Sequence, residues 1–273
     1  MRMTTPRAVI APTIALLFAA GVAAQQDDQE WLRQCERQAE RNDRAVFCEV
    51  RPVTLALAAG ALDVDASPNG SIQVDGSAID HVQASARIRT QAGTDTRARE
   101  LAREIRIEAR DGHLSSDGPR TRSREGWSVS FAVTVPGRAD LVLSTTNGSV
   151  AVADVDGRIR ARTTNGAVRL DRLAGDVRAR ATNGSVRVNL AGDRWQGDGL
   201  DLSTTNGAVR IAIPEDYSAE LETRTVNGRI NMDFPVTITT MGRRANRIQT
   251  SLGEGGATIR AETTNGSINL TRP

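Results

Sequence analysis

Aromatic side chains are scarce: three Trp, one Tyr and four Phe make up 3% of 273 residues. Any core must therefore be assembled from small aliphatic groups. Lysine is absent, so all 35 basic residues are Arg, against 33 acidic ones. If a leader carrying Arg2 and Arg7 is removed, 33 of each sign remain, a balance that does not suit a general nucleic-acid binder. With two His (His81 and His113) and two Cys, a tetrahedral zinc site has too few ligands at the usual spacing. G-x-S-x-G, H-E-x-x-H, the phosphate-binding P-loop and G-x-G-x-x-G are all missing; Gly197-Asp198-Gly199 comes nearest and lacks the third Gly. No catalytic residue, cofactor or metal is indicated. What the chain has instead is 24 Gly and many Val, Ile, Thr and Asn spread along its length, the composition of a turn-rich β protein.

Long apolar runs are also lacking, apart from residues 8–20, which are short for a ~20-residue membrane span and contain Pro12. Residues 1–7 carry two Arg and no acid, and Val22-Ala23-Ala24 before Gln25 has the small residues of a cleavage site. Residues 1–24 thus read as a secretory signal peptide, leaving no transmembrane segment and a periplasmic or extracellular protein. An oxidising compartment makes a disulfide of Cys35 and Cys48, whose short loop should stabilise the fold by roughly 3 kcal/mol. Within residues 25–52, Trp31, Cys35 and Ala39 fall at helical spacing ahead of a strand-like stretch at 45–50, so the disulfide is expected to clasp a short helix to the first strand.

Residues 53–135 read as an N-terminal β portion, with strands at 82–89, 105–109 and 128–135. Between the first two, Thr94-Asp95-Thr96 is an N-cap signal before a short helix over 97–104.

Residues 136–273 repeat. Asn-Gly pairs, mostly preceded by Thr, recur at Asn147, Asn165, Asn183, Asn206, Asn227 and Asn265, in steps of 18, 18, 23, 21 and 38 residues. Weaker versions stand at Asn69-Gly70-Ser71-Ile72 and Asp111-Gly112-His113-Leu114. Three residues after each repeat Asn comes Val150, Val168, Val186, Val209, Ile230 or Ile268, and six before it Leu141, Ile159, Val177, Leu200, Leu221 or Ile259. Arg160, Arg162, Arg178, Arg180, Arg169, Arg187 and Arg210 occupy alternate positions. This is period-2 patterning, apolar inward and Arg outward, with two strands and two turns per unit.

Two architectures fit. In an antiparallel meander, Asn-Gly would be a hairpin turn. In a parallel β-solenoid of ~18–23-residue coils, equivalent residues stack about 4.8 Å apart, which explains why the Thr and Asn identities recur along with the apolar pattern. The solenoid is the better account: stacked Asn side chains can hydrogen-bond as a ladder, and Asn tolerates the left-handed backbone that a sharp corner would require. The expected class is all-β, a β-helix-like solenoid with a helical clasp and one further short helix.

The Thr-Thr-Asn-Gly-Ser-Val repeats, the strand-helix-strand portion before them and the closing Thr263-Thr264-Asn265-Gly266-Ser267-Ile268-Asn269-Leu270 resemble the bacterial putative-adhesin, domain-of-unknown-function family with β-strand repeats. The resemblance covers residues 53–270. It implies a solenoid-like fold and an exported, envelope-associated role, and brings no activity with it.

Chemistry could reside in few places. Asp154-Val155-Asp156-Gly157 begins like a calcium loop, but its twelfth position is Asn165 where a bidentate Glu is needed. Asp154, Asp156, Asp171 and Asp176 are the carboxylates a polysaccharide-cleaving solenoid would use, although Asp at turns is ordinary. The candidate binding groups are the outward arginines Arg160, Arg162, Arg178 and Arg180 and the basic run Arg243, Arg244 and Arg247, which could meet an anionic glycan or an envelope protein. Because only Thr271-Arg272-Pro273 follow Leu270, the last coil is expected at an open end, where copies could pair end to end. The expected function is a non-enzymatic, adhesin-like or structural scaffold; a carbohydrate-binding module or polysaccharide-active enzyme on the same frame is the alternative.

Overall fold

The computed structural model describes residues 15–40, 43–55, 60–235, 240–241 and 246–273. The chain begins with helix α1 (Ala15–Ala39) and strand β1 (Ala45–Leu55). A first coil follows, made of β2 (Ala61–Asp65) and β3 (Ile72–Ser77). The chain then departs through β4 (Val82–Ala92), α2 (Asp95–Glu104), β5 (Arg106–Arg110), β6 (His113–Asp117) and β7 (Gly126–Pro136). From there strands come in pairs: β8 (Asp140–Asn147) with β9 (Val150–Ala153), β10 (Asp156–Asn165) with β11 (Val168–Asp171), and β12 (Ala174–Asn183) with β13 (Val186–Asn189). Two more pairs are β14 (Gly199–Asn206) with β15 (Val209–Ala212), and β16 (Ala219–Asn227) with β17 (Ile230–Met232). Antiparallel β18 (Thr240–Met241) and β19 (Arg247–Leu252) precede the last pair, β20 (Thr258–Asn265) and β21 (Ile268–Thr271).

Each pair contributes one strand to each of two sheets. One sheet runs β1-β4-β7-β3-β9-β11-β13-β15-β21-β17, and the other β18-β19-β16-β20-β14-β12-β10-β8-β2-β6-β5. Successive coils pair in parallel with like residues in register: Leu141, Ile159, Val177 and Leu200 are consecutive partners, as are Asn147, Asn165, Asn183 and Asn206. That register is the solenoid's and excludes the meander. The inward side chains of both sheets meet in one thin core, where Leu141, Ile159, Val168, Val177 and Val186 are fully buried. Each such side chain stabilises the fold by roughly 1.5–3 kcal/mol relative to exposure. Both sheets run on past residue 136, because β2 pairs with β8 and β3 with β9.

One expectation fails. The coil of Asn265 is not at an end: β20 lies between β14 and β16, and β21 between β15 and β17. The 38-residue step lets the chain lay down the Asn227 coil one place too far out, fold β19 antiparallel against β16, and return to fill the gap. Equivalent residues stack equally well in either order, so periodicity could not show it. The terminal coil is the one whose motif is degenerate, with Val226 in place of Thr and Arg229 in place of Ser or Ala, as end repeats commonly are. Val226 is 55% exposed.

The left-handed backbone expected at the corner Asn is also not found. No Asn among the described residues has a left-handed backbone; of the five non-glycine residues that do, Asp154 (φ 59°) and Arg172 (φ 49°) sit at the opposite turn and Asp111 (φ 51°) in the weaker Asp111-Gly112 repeat. Glycine is required after each Asn because coils touch there: a Cβ on Gly166 would lie 1.9 Å from the Gly148 carbonyl oxygen, and one on Gly184 1.7 Å from that of Gly166.

The N-terminal clasp forms as expected, with a Cys35–Cys48 disulfide joining α1 to β1, although the helix reaches back to Ala15. Residues 1–14 of the expected leader lie outside the described residues. Arg87, 8% exposed on β4, is gripped from α1 by Asp27 and Asp28, its Nε donating to Asp28 Oδ1 over 2.8 Å. The second helix starts where Thr94 caps it, Oγ1 accepting from Arg97 N at 3.3 Å, and packs Leu101 and Ala98 against Ala92.

Candidate functional site

The long edge where the coils turn between sheets carries two ladders. Asn147 Nδ2 donates to Asn69 Oδ1, Asn165 to Asn147, Asn183 to Asn165, Asn206 to Asn183, Asn265 to Asn206 and Asn227 to Asn265, each over 2.8–2.9 Å. All six bonds point the same way, from the Asn227 end toward Asn69. Two residues before the Asn a buried Thr hydroxyl donates to the adjacent coil's glycine carbonyl: Thr145 to Gly70, Thr163 to Gly148, Thr204 to Gly184, Thr263 to Gly207 and Thr225 to Gly266, over 2.7–2.9 Å. Ala181 interrupts this second series. The weak repeat at Asn69 is the first rung, and the six expected structural asparagines follow it. The edge is therefore a rigid rail, and the side chains pointing away from the core on either side of it are held at one per rung.

On the sheet containing β10 and β12, two outward columns of side chains stand beside the rail. In the column farther from it, Arg160 donates to Asp176 Oδ2 at 2.6 Å and to the Asp176 carbonyl at 2.9 Å, while Arg178 Nε lies 3.7 Å from Asp176 Oδ1. The hydrogen bond from Arg160 holds the Asp176 carboxyl below the usual range. Arg160 is thus paired with Asp176, and Arg178 shares the same carboxylate only at the longer distance, leaving one net positive charge in this column. In the nearer column, Arg162 and its register partner Arg180 are exposed and have no acidic partner among the described residues. The same column continues through Ser203, Glu262 and Arg224, which faces Arg247 across the β16–β19 pair. A shallow groove of about 390 Å³ follows this column, lined by Arg162, Arg180, Thr182, Ser203, Thr205, Arg224 and Glu262. Arg243 and Arg244 lie outside the described residues.

On the other sheet, Arg169, Arg187 and Arg210 occupy the same position in three consecutive coils. All three are exposed, and none has an ion pair or hydrogen bond among the described residues. Three like charges in neighbouring rungs disfavour one another, so an anion that bridges them relieves repulsion as well as gaining charge-assisted hydrogen bonds. Arg224 was not singled out from the sequence; its place three residues before Asn227, matching Arg162 and Arg180, was the available signal.

The candidate carboxylates do not come together as an acid and a base. Arg172 grips Asp154 with two bonds of 2.7 Å and reaches Asp171 at 2.6 Å, and Arg138 meets Asp156 at 3.1 Å. Arg172 pulls the Asp154 carboxyl below its ordinary range. A glycosidase needs one carboxyl shifted the opposite way to serve as general acid. Asp154, at a turn, and Asp156, the first residue of β10, are each engaged by arginine. His81 and His113 each face a single carboxylate, Asp80 at 2.8 Å and Asp63 at 3.3 Å. Among the described residues no three His, Cys, Asp or Glu converge as metal ligands would, and no helix is long and apolar enough to cross a membrane.

The Toastrack DUF4097 family matches residues 103–271, more than half of the chain. No curated protein matches it in sequence. Among solved structures, a candidate cell adhesion protein of Clostridium sporogenes is similar at 12% identity with a TM-score of 0.43, over 84% of this chain and 100% of that one. A candidate adhesin of Bacteroides fragilis is similar at 11% identity with a TM-score of 0.32, over 83% and 97%. A candidate lipid-binding protein of Parabacteroides distasonis is similar at 12% identity with a TM-score of 0.30, over 82% and 96%.

Proposed function

The chain belongs to the Toastrack DUF4097 family, and from that premise we propose that it is an exported, non-enzymatic scaffold of the bacterial envelope that holds an anionic glycan along its arginine columns. The observation that carries this reading is the column Arg169, Arg187 and Arg210, three guanidinium groups on successive rungs without acidic partners among the described residues. Rungs about 4.8 Å apart present charge at a repeat comparable with that of an extended polymer bearing one carboxylate per sugar. The guanidinium fork matches a carboxylate bidentately, and because the backbone register is already fixed only the arginine side chains have to be ordered on binding. Export is supported by the leader-like residues 1–24 and by the Cys35–Cys48 disulfide, which belongs in an oxidising compartment.

The test is retention of residues 25–273 on an immobilised polyuronate at low salt. Arg169, Arg187 and Arg210 replaced together by Ser should abolish retention and flatten its salt dependence while the melting temperature stays put; Arg162→Ser with Arg180→Ser should weaken it. Arg160→Ser with Asp176→Asn, which removes a paired arginine together with its acid, should change it little. Failure of the unaltered chain to bind, or full retention by the triple variant, defeats the proposal.

A further inference from the structure

All seven Asn-Gly pairs lie on the rail, and six are shielded alike. The amide N–H of the glycine donates to the asparagine carbonyl of the next coil: Gly70 to Asn147, Gly148 to Asn165, Gly166 to Asn183, Gly184 to Asn206, Gly207 to Asn265 and Gly266 to Asn227, over 3.0–3.1 Å. The seventh pair, Asn227-Gly228, is in the outermost coil of that edge, because β17 ends its sheet. Among the described residues the Gly228 N–H meets no acceptor. Gly228 is exposed, whereas the other six glycines are buried or half-buried. Among the described residues the Asn227 side chain is held from one side only: Nδ2 donates to Asn265 Oδ1 at 2.9 Å, and no side chain donates to its own Oδ1.

We propose that Asn227 is the chain's site of spontaneous deamidation and isoaspartate formation, and that the stack itself protects the other six. The Gly228 amide nitrogen loses its proton to water and attacks Asn227 Cγ. A Cγ–N bond forms, the Cγ–Nδ2 bond breaks, and Nδ2 leaves as ammonia with a proton from water. The five-membered succinimide then takes up one water at either carbonyl and opens to aspartate or to isoaspartate, with no oxidant or reductant involved. The first step needs an amide N–H free to ionise and an Asn side chain free to swing over it. In the shielded pairs the N–H is already donated to a neighbouring coil, so a stretch of the rail must open before reaction. At Asn227 one exposed side-chain bond has to break.

The product adds a negative charge between Arg224 and Arg229 and ends donation to Asn265. The isoaspartyl form also lengthens the backbone ahead of β17, which moves Ile230 and Met232 out of register with Ile268 and Leu270.

The experiment incubates the folded chain in mildly alkaline buffer at physiological temperature and follows each Asn-Gly peptide by mass spectrometry, with enzymatic methylation counting isoaspartate. Asn227 should convert at least about tenfold faster than any other pair, since each of those must first open. In denaturant, all seven should react at similar rates. Asn227→Gln should remove the isoaspartate signal of the folded protein. Similar rates at all seven sites in the folded chain, a shielded site faster than Asn227, or an Asn227 no faster than the rest overturns the inference.

Discussion

Asn183 stands in the middle of the rail, and its replacement by Ala isolates what the stacked amides contribute. The side chain donates to Asn165 Oδ1 at 2.9 Å and accepts from Asn206 Nδ2 at 2.8 Å, so the substitution deletes two bonds at once. Each is a neutral hydrogen bond with a net value of about 0.5–1.5 kcal/mol, which gives an expected loss of about 1–3 kcal/mol. An exposed polar residue outside such an arrangement would change stability by less than about 0.5 kcal/mol. Asn227→Ala provides the internal standard, since it deletes only the bond to Asn265 and should cost about half as much. Urea unfolding followed by circular dichroism measures both, and the comparison is sound if the denaturant slope is common to the variants. If Asn183→Ala costs no more than Asn227→Ala, or if both fall in the ordinary surface range, the amides contribute nothing and the recurrence of Asn needs another cause.

Ala181→Thr should raise stability by about 1 kcal/mol, because it supplies the hydroxyl missing between Thr163 and Thr204; a lower melting temperature would show that the slot cannot take it. Gly184→Ala places a Cβ 1.7 Å from the Gly166 carbonyl oxygen and should cost more than about 3 kcal/mol, whereas Gly93→Ala, with no atom within 4 Å, should be near neutral. Calorimetry on the pair would expose the error if the two behaved alike. Arg160 depresses the folded-state pKa of Asp176 below its unfolded value near 4, so the stability that this carboxylate adds is complete above about pH 4 and is lost as pH falls through the lower value. Asp176→Asn should therefore be less stable than the parent at neutral pH and lose less between about pH 5 and pH 2; parallel melting curves against pH would contradict this.

Much of the molecule could be read from residue identities because a solenoid repeats one local solution. Val150, Val168 and Val186 recur since each fills the same slot above its predecessor, and Asn147, Asn165 and Asn183 recur since each hydrogen-bonds to its like. What repetition cannot encode is order. Ile259 fits beside Leu200 or Leu221 with equal ease, so only the long step and the defective Thr225-Val226-Asn227-Gly228-Arg229 motif hinted that the Asn227 coil was outermost. The arginine columns were legible as outward-facing by alternation. Which of them are free was not: Asp176 precedes its strand's apolar residues and reaches sideways to the Arg160 of another coil, a contact set by inter-coil register. The grip of Asp27 and Asp28 on Arg87 was similarly hidden, because it joins segments about sixty positions apart whose docking depends on the clasp.

The interior place of the final strand pair bears on how the molecule is made. As the chain emerges, coils through Asn206 can settle each on the one before, yet the Asn227 coil, paired only with the β19 hairpin, is not joined to the Asn206 coil until β20 and β21 exist. Those two strands act as a keystone: growth from the amino terminus halts one course short, and closure waits for residues 258–271, a long-range step that is slow by nature. Loss of residues 258–273 would thus leave the far end, hairpin included, without the strands that join it to the Asn206 coil.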